Sequence, residues 1–92
     1  MRVVWSTEAV ADLKAISEYI EHDRSLATAN KVVRKIYRAA QGLAAMPHTG
    51  RPGRVEGTRE LVLAPLPYII IYQPLPDMLL ILNVVHGAQR WP

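Results

Sequence analysis

The sequence predicts an α+β fold with the order β-α-α-β-β-β, a helical hairpin packed on a small, mostly antiparallel sheet. Three observations carry this. Apolar residues recur at helical spacing through two consecutive stretches of the first half. The second half holds three short runs rich in β-branched and long aliphatic residues, RELVLA, YIIIYQ and MLLILNVV. Between the halves lies HTGRPGRVEGT, a stretch with three glycines and a proline that neither period can cross.

Taken in order, MRVVW reads as a short first strand. Ser6 or Thr7 can cap the helix that follows, and Glu8 sits where a carboxylate favours the helix dipole. Ala9, Leu13, Ile16 and Ile20 then fall on one helical face, with Asp12, Lys14, Ser17, Glu18 and Glu21 on most of the other. The first helix is expected to end near Glu21. HDRS makes a tight polar connection, and Asp23 or Ser25 can cap the second helix. Its apolar line is Leu26, Ala29, Val33, Ile36, Ala40 and Leu43, the strongest periodic signal in the chain, and Met46-Pro47 ends it. Two amphipathic helices joined this closely should pack antiparallel. After the glycine-rich loop, APLP and PLPD separate the three runs, which are best joined as an antiparallel meander. Prolines 65, 67, 74 and 76 belong at strand ends, where no ladder donor is lost. The apolar run from Met78 to Val85 suits a strand covered on both faces. One face of the sheet takes the hairpin; the other is expected to be only partly covered.

Size and composition bound the function. The 92 residues make one domain, 1–92, with a thin margin of stability. No cysteine is present, so neither a disulfide nor a thiolate nucleophile is available, which is compatible with a reducing cytoplasm. No signal core or membrane span is legible, and a soluble, cytoplasmic protein is expected. A formal charge of +3 permits an acidic partner without demanding one. Apolar residues make up 50% of the chain, more than so small a core can hold, and the excess surface calls for a protein partner.

Candidate sites are few. His22, His48 and His86 have neither the mutual spacing nor the framing carboxylates of a metal site, and no glycine-rich loop joins a strand to a helix as a nucleotide cradle would. No metal or cofactor is therefore expected. Lys31, Arg34, Lys35 and Arg38 share one helical face, read here as the solvated side opposite the apolar line rather than as a phosphate stripe. Arg51, Arg54, Arg59, His86 and Arg90 form a more reactive set. The start of the first late strand and the end of the last are expected at one edge region, so that Arg59 could approach the tail. Arginine stabilises phosphorane-like charge and histidine serves as acid or base near neutral pH. The competing reading pairs Arg59 and Arg90 with Glu56 or Glu60 and leaves His86 as a strand-end polar residue. Trp91 could stack on a base, but reads more naturally as a plug at the edge of the core.

With these pieces in order, the chain resembles the RelE/ParE superfamily of toxins from bacterial type II toxin–antitoxin modules. The resemblance rests on W-S-x-E-A-x-A-D-L at Trp5–Leu13, L-A-A-M-P at Leu43–Pro47, G-T-R-E-L at Gly57–Leu61, Y-I-I-I-Y at Tyr68–Tyr72 and V-V-H-G-A-Q-R-W at Val84–Trp91. It implies a growth-inhibiting α+β toxin held in a hetero-oligomer by a cognate antitoxin, whose C-terminal segment wraps it as helix and strand. RelE-like members cut mRNA on the ribosome; ParE-like members poison DNA gyrase by binding. The nuclease branch usually carries arginine after the first aromatic of Y-R-L-V-Y, where this chain has Ile69, and is commonly more basic. The regular hairpin with A-D-L also looks closer to ParE. The resemblance therefore implies a ParE-like, non-catalytic toxin. Under the nuclease alternative, Arg59, His86 and Arg90 are the catalytic candidates, acting without metal.

Overall fold

A computed structural model describes all 92 residues. The elements are β1 (Arg2–Trp5), α1 (Thr7–Asp23), α2 (Leu26–Gly42), β2 (Arg51–Pro52), β3 (Arg59–Val62), β4 (Tyr68–Pro74) and β5 (Met78–His86). One five-stranded sheet has the order β1-β5-β4-β3-β2, with β1 parallel to β5 and every other pair antiparallel. This is the expected α+β arrangement, with one addition. The glycine-rich loop contributes β2, whose two residues pair with Arg59 and Glu60. A strand that short, ending in proline, has no periodicity to betray it.

Both helices start on serine. The Ser6 hydroxyl accepts from the Ala9 N–H and that of Ser25 from the Thr28 N–H, each satisfying an amide that the first turn leaves free. The first helix runs two residues past Glu21 to Asp23. The second closes at Gly42, with its last residues before Pro47 in turns rather than in helix. Packed antiparallel on one face of the sheet, the helices bury Ala9, Ile20, Ala29, Ile36, Ala40 and Leu43 against Tyr68, Ile70, Tyr72, Leu79, Ile81 and Val84.

The sheet residues of that cluster do not keep a strict alternation. Tyr72 pairs with Ile81 while Ile71 pairs with Asn83, so Leu82 is an extra residue in β5. This bulge returns Val84 to the helix side after Leu79 and Ile81, and turns Asn83 and Val85 to the other.

That second face is better covered than the sequence implies. Ile71 is 1% exposed and Val85 9%, although neither belongs to the helix-side core. Cover comes from the C-terminal tail and from β2. The indole N–H of Trp91 donates to Asn83 Oδ1 at 2.8 Å, and Arg51 is bonded to Glu60 at 3.0 Å. Trp91 lies with Ile69, Ile71 and Val85 around one small concavity, so it plugs the sheet's second face.

Candidate functional site

The sequence-predicted residues fall at three separate places. In a three-stranded meander the outer strands run the same way, so the start of β3 and the end of β5 lie at opposite ends. Arg59 pairs with Tyr72, and His86 pairs with Tyr68, four residues earlier on β4. At about 3.3 Å per residue the two are held about 13 Å apart along the sheet. The expectation that Arg59 approaches the tail is thus corrected by the strand register.

Arg59 sits at the β2 end. Its Nη1 donates to Gly50 O at 2.6 Å and to His48 O at 3.3 Å. Beside it the buried Tyr72 hydroxyl donates to Pro47 O at 2.8 Å and accepts from the Gly50 N–H at 2.9 Å. The two side chains together pin residues 47–50, the turn that leads from the helices back into the sheet. Gly50 is required there, because a Cβ would lie 2.8 Å from the Tyr72 ring and from Glu60 O. The pairing of Arg59 with Glu56 or Glu60 does not form: Glu60 takes Arg51 instead. A polar hollow lined by His48, Pro52, Gly57, Thr58, Arg59 and Pro74 opens beside this turn.

His86 ends β5 on the helix side. Its ring meets Tyr68 edge-on, 6.0 Å between centroids, and its Nδ1 accepts from the Ala88 N–H. With Ala15, Ile16, Tyr19, Pro67 and Tyr68 it lines a mainly apolar groove of about 460 Å³ against α1. Burial, and secondarily the nearby Tyr19, push the Tyr68 phenol above its ordinary value of 10.0. Arg90 is exposed in the tail and engages no ion pair or hydrogen bond. No group of three or more histidine or carboxylate side chains converges where it could hold a metal ion.

Sequence reasoning missed the polar chain that joins α1 to the tail. Beyond Trp5, β5 has no strand along its outer edge. Side chains from α1 and its cap take that place. The Ser6 hydroxyl donates to Leu82 O at 2.8 Å, and the Asp12 carboxylate accepts from the Val84 N–H and from Asn83 Nδ2, both at 2.9 Å. Asn83 then receives Trp91 through its other atom. Ser6 and Asp12 stand at the S and D of W-S-x-E-A-x-A-D-L. The motif was legible, but its purpose needs the register of a strand more than seventy residues away.

The opposite side of the sheet stays open to partners. The outer edge of β3 has no strand beyond Glu60, and next to it Ala39, Leu61, Val62, Leu63, Pro65 and Leu66 line an apolar groove between β3 and α2. No helix is long and apolar enough to cross a membrane.

A helical hairpin on one face of a mixed sheet, with an unpaired edge beside an apolar groove, is the architecture of a small α+β protein that leaves room for a second chain. The chain belongs to the family described as ParE toxin of the type II toxin–antitoxin system parDE, whose model matches residues 3–91. It is 47% identical over 91 residues to Y4kP of Sinorhizobium fredii, a candidate toxin, covering 99% of this chain and 93% of that one. It is 38% identical over 88 residues to toxin RelE2 of Caulobacter vibrioides, covering 96% and 97%. Among solved structures, a chain of the chromosomal ParDE system from P. aeruginosa superposes with a TM-score of 0.86 at 28% identity, covering 94% of this chain and 95% of that one. A chain of the toxin–antitoxin complex RelBE2 from Mycobacterium tuberculosis shares the fold, with a TM-score of 0.70 at 23% identity over 96% and 92% of the two chains. The protein is the toxin of a toxin–antitoxin module, with an antitoxin as its partner.

Proposed function

We propose that this toxin is a single cytoplasmic domain that inhibits DNA gyrase by docking, without chemistry of its own. The separation of Arg59 from His86 along β4 carries the reading. Acid–base cleavage of an RNA needs its cationic and proton-transferring groups around one phosphate. Here Arg59 is spent on two carbonyls, Arg90 hangs free in the tail, and His86 faces an apolar groove. Ile69 adds to this, since it lines the second sheet face where the nuclease branch carries arginine.

The antitoxin, in this reading, covers the groove between α2 and β3 and extends the sheet at β3, the two routes by which a peptide chain best satisfies an apolar groove and an unpaired edge. The purified toxin should block supercoiling of relaxed plasmid by gyrase, or trap cleaved DNA, and leave ribosome-bound mRNA intact. Arg59→Ala and His86→Ala should each cause only partial loss of growth inhibition.

The identity to toxin RelE2 favours a second reading, a ribosome-dependent, metal-independent mRNA endoribonuclease using Arg59, His86 and Arg90. In that case His86→Ala nearly abolishes toxicity while folding and antitoxin binding survive, and messages are cut in translating extracts.

A further inference from the structure

The helix α2 carries Lys31, Arg34, Lys35 and Arg38 and no acidic residue. The other 75 residues of the 92 hold seven basic and eight acidic side chains, so the whole positive excess of the chain resides on this helix. All four cations are exposed. Their spacing of three, one and three residues places them on one stripe, about 10 Å long at about 1.5 Å per residue. The stripe faces directly away from Ala29, Ile36 and Ala40, which the helix buries. None of the four takes part in an ion pair; the two ion pairs of the chain are Arg24–Asp23 and Arg51–Glu60. Like charges at i,i+3 and i,i+4 repel, and a helix that carries only them loses stability for no internal return.

A solvated face commonly carries both signs, as α1 does with the exposed Glu8, Lys14, Glu18, Glu21 and Asp23. An interface for protein, by contrast, is depleted of charge at its centre and built on apolar anchors. The middle of this stripe holds neither acid nor anchor; one flank carries the exposed Asn30, Tyr37 and Gln41, and the other, at Lys35, borders Ala39 and the apolar groove. Single-signed charge with hydrogen-bond donors alongside is the complement of a phosphate backbone, and two of the four groups are guanidinium forks suited to it.

We infer that the outer face of α2 binds the sugar–phosphate backbone of duplex DNA, without reading sequence. This does not rest on the gyrase reading, because it is measured with DNA alone. Lys31, Arg34 and Arg38 lie clear of the groove between α2 and β3 that the antitoxin is proposed to fill, and Lys35 stands on its rim.

The test is fluorescence anisotropy of a labelled mixed-sequence duplex titrated with the full chain. Four neutralised phosphates give a slope of log K against log salt of about −3.6, or about a 150-fold loss of affinity between about 50 and 200 mM salt. Each of Lys31→Gln, Arg34→Gln, Lys35→Gln and Arg38→Gln should reduce the slope by about one, and the fourfold variant should bring it close to zero. Arg24→Gln, at a cation already paired, should leave it unchanged. Circular dichroism confirms that the variants fold, which exposed helix positions favour. A slope insensitive to all four changes would overturn the inference. So would polyglutamate binding as tightly as duplex at matched charge, which would assign the face to an acidic protein instead.

Discussion

Replacing Asp12 by alanine tests the account of how β5 is finished at its outer edge. The half-buried carboxylate accepts two hydrogen bonds at 2.9 Å, from the Val84 N–H and from Asn83 Nδ2. Bonds to a charged acceptor are worth about 1.5–3 kcal/mol each, and an amide left without a partner in a closed site carries most of that loss. Asn83 can turn to water, so about 2.5 kcal/mol is a fair sum for the pair, mainly from Val84. Alanine regains about 0.5 kcal/mol in helix propensity over aspartate. The net is about 2 kcal/mol, which at a urea m value of about 1.2 kcal/mol/M lowers the unfolding midpoint by about 1.7 M. Asp12→Asn keeps one oxygen for Val84 and should lose about half as much. Urea unfolding followed by circular dichroism measures both. If Asp12→Ala shifts the midpoint by less than about 0.3 M, or if asparagine is the worse substitution, then the carboxylate is not what closes this edge.

Other consequences follow from the same geometry. Tyr72→Phe removes one hydroxyl and orphans both the Gly50 N–H and Pro47 O, so it should cost about 2 kcal/mol in urea unfolding while leaving the m value unchanged. Ile36 is fully buried between helix and sheet; Ile36→Ala should cost about 3–4 kcal/mol and Ile36→Val about 1, and equal effects would contradict a close-packed site. The raised Tyr68 phenol gives a signed pH dependence. In the unfolded chain it ionises at its ordinary value of 10.0, whereas the folded state holds the proton longer, so its contribution is intact below pH 10.0 and is lost as pH rises through the higher folded value. Tyr68→Phe should flatten the alkaline fall in the urea midpoint, and an unchanged slope above pH 10.0 would contradict that origin.

Much of this fold is legible in the sequence because helices announce themselves by period. The line from Leu26 to Leu43 admits one face only, and Ser25 marks its start. The three late runs show as strands for the same reason, bounded by prolines that cannot donate to a ladder. What stayed hidden depends on register. Leu82 is one more aliphatic residue in an aliphatic run, and nothing local says that β5 bulges there. Asp12 looks like any polar residue on a helix until the free edge of β5 is placed beside it. Arg59 and His86 are a different case: the antiparallel order alone puts them at opposite ends, so the topology itself excludes the cluster. The cover on the second sheet face is hidden for the same reason as the bulge: Trp91 reads as an edge plug, while Asn83 draws it over Ile69 and Val85.

The pairing of β1 with β5 joins Arg2–Trp5 to Met78–Ile81. During synthesis, therefore, β1 waits for a strand more than seventy residues further along the chain. The helices can form as they emerge, but the apolar side they share with β4 and β5 has nothing to close on until those two strands have emerged. A sheet closed by so distant a pairing favours folding late in synthesis. A partner already present would therefore meet a chain whose core is still accessible, before the finished sheet exists.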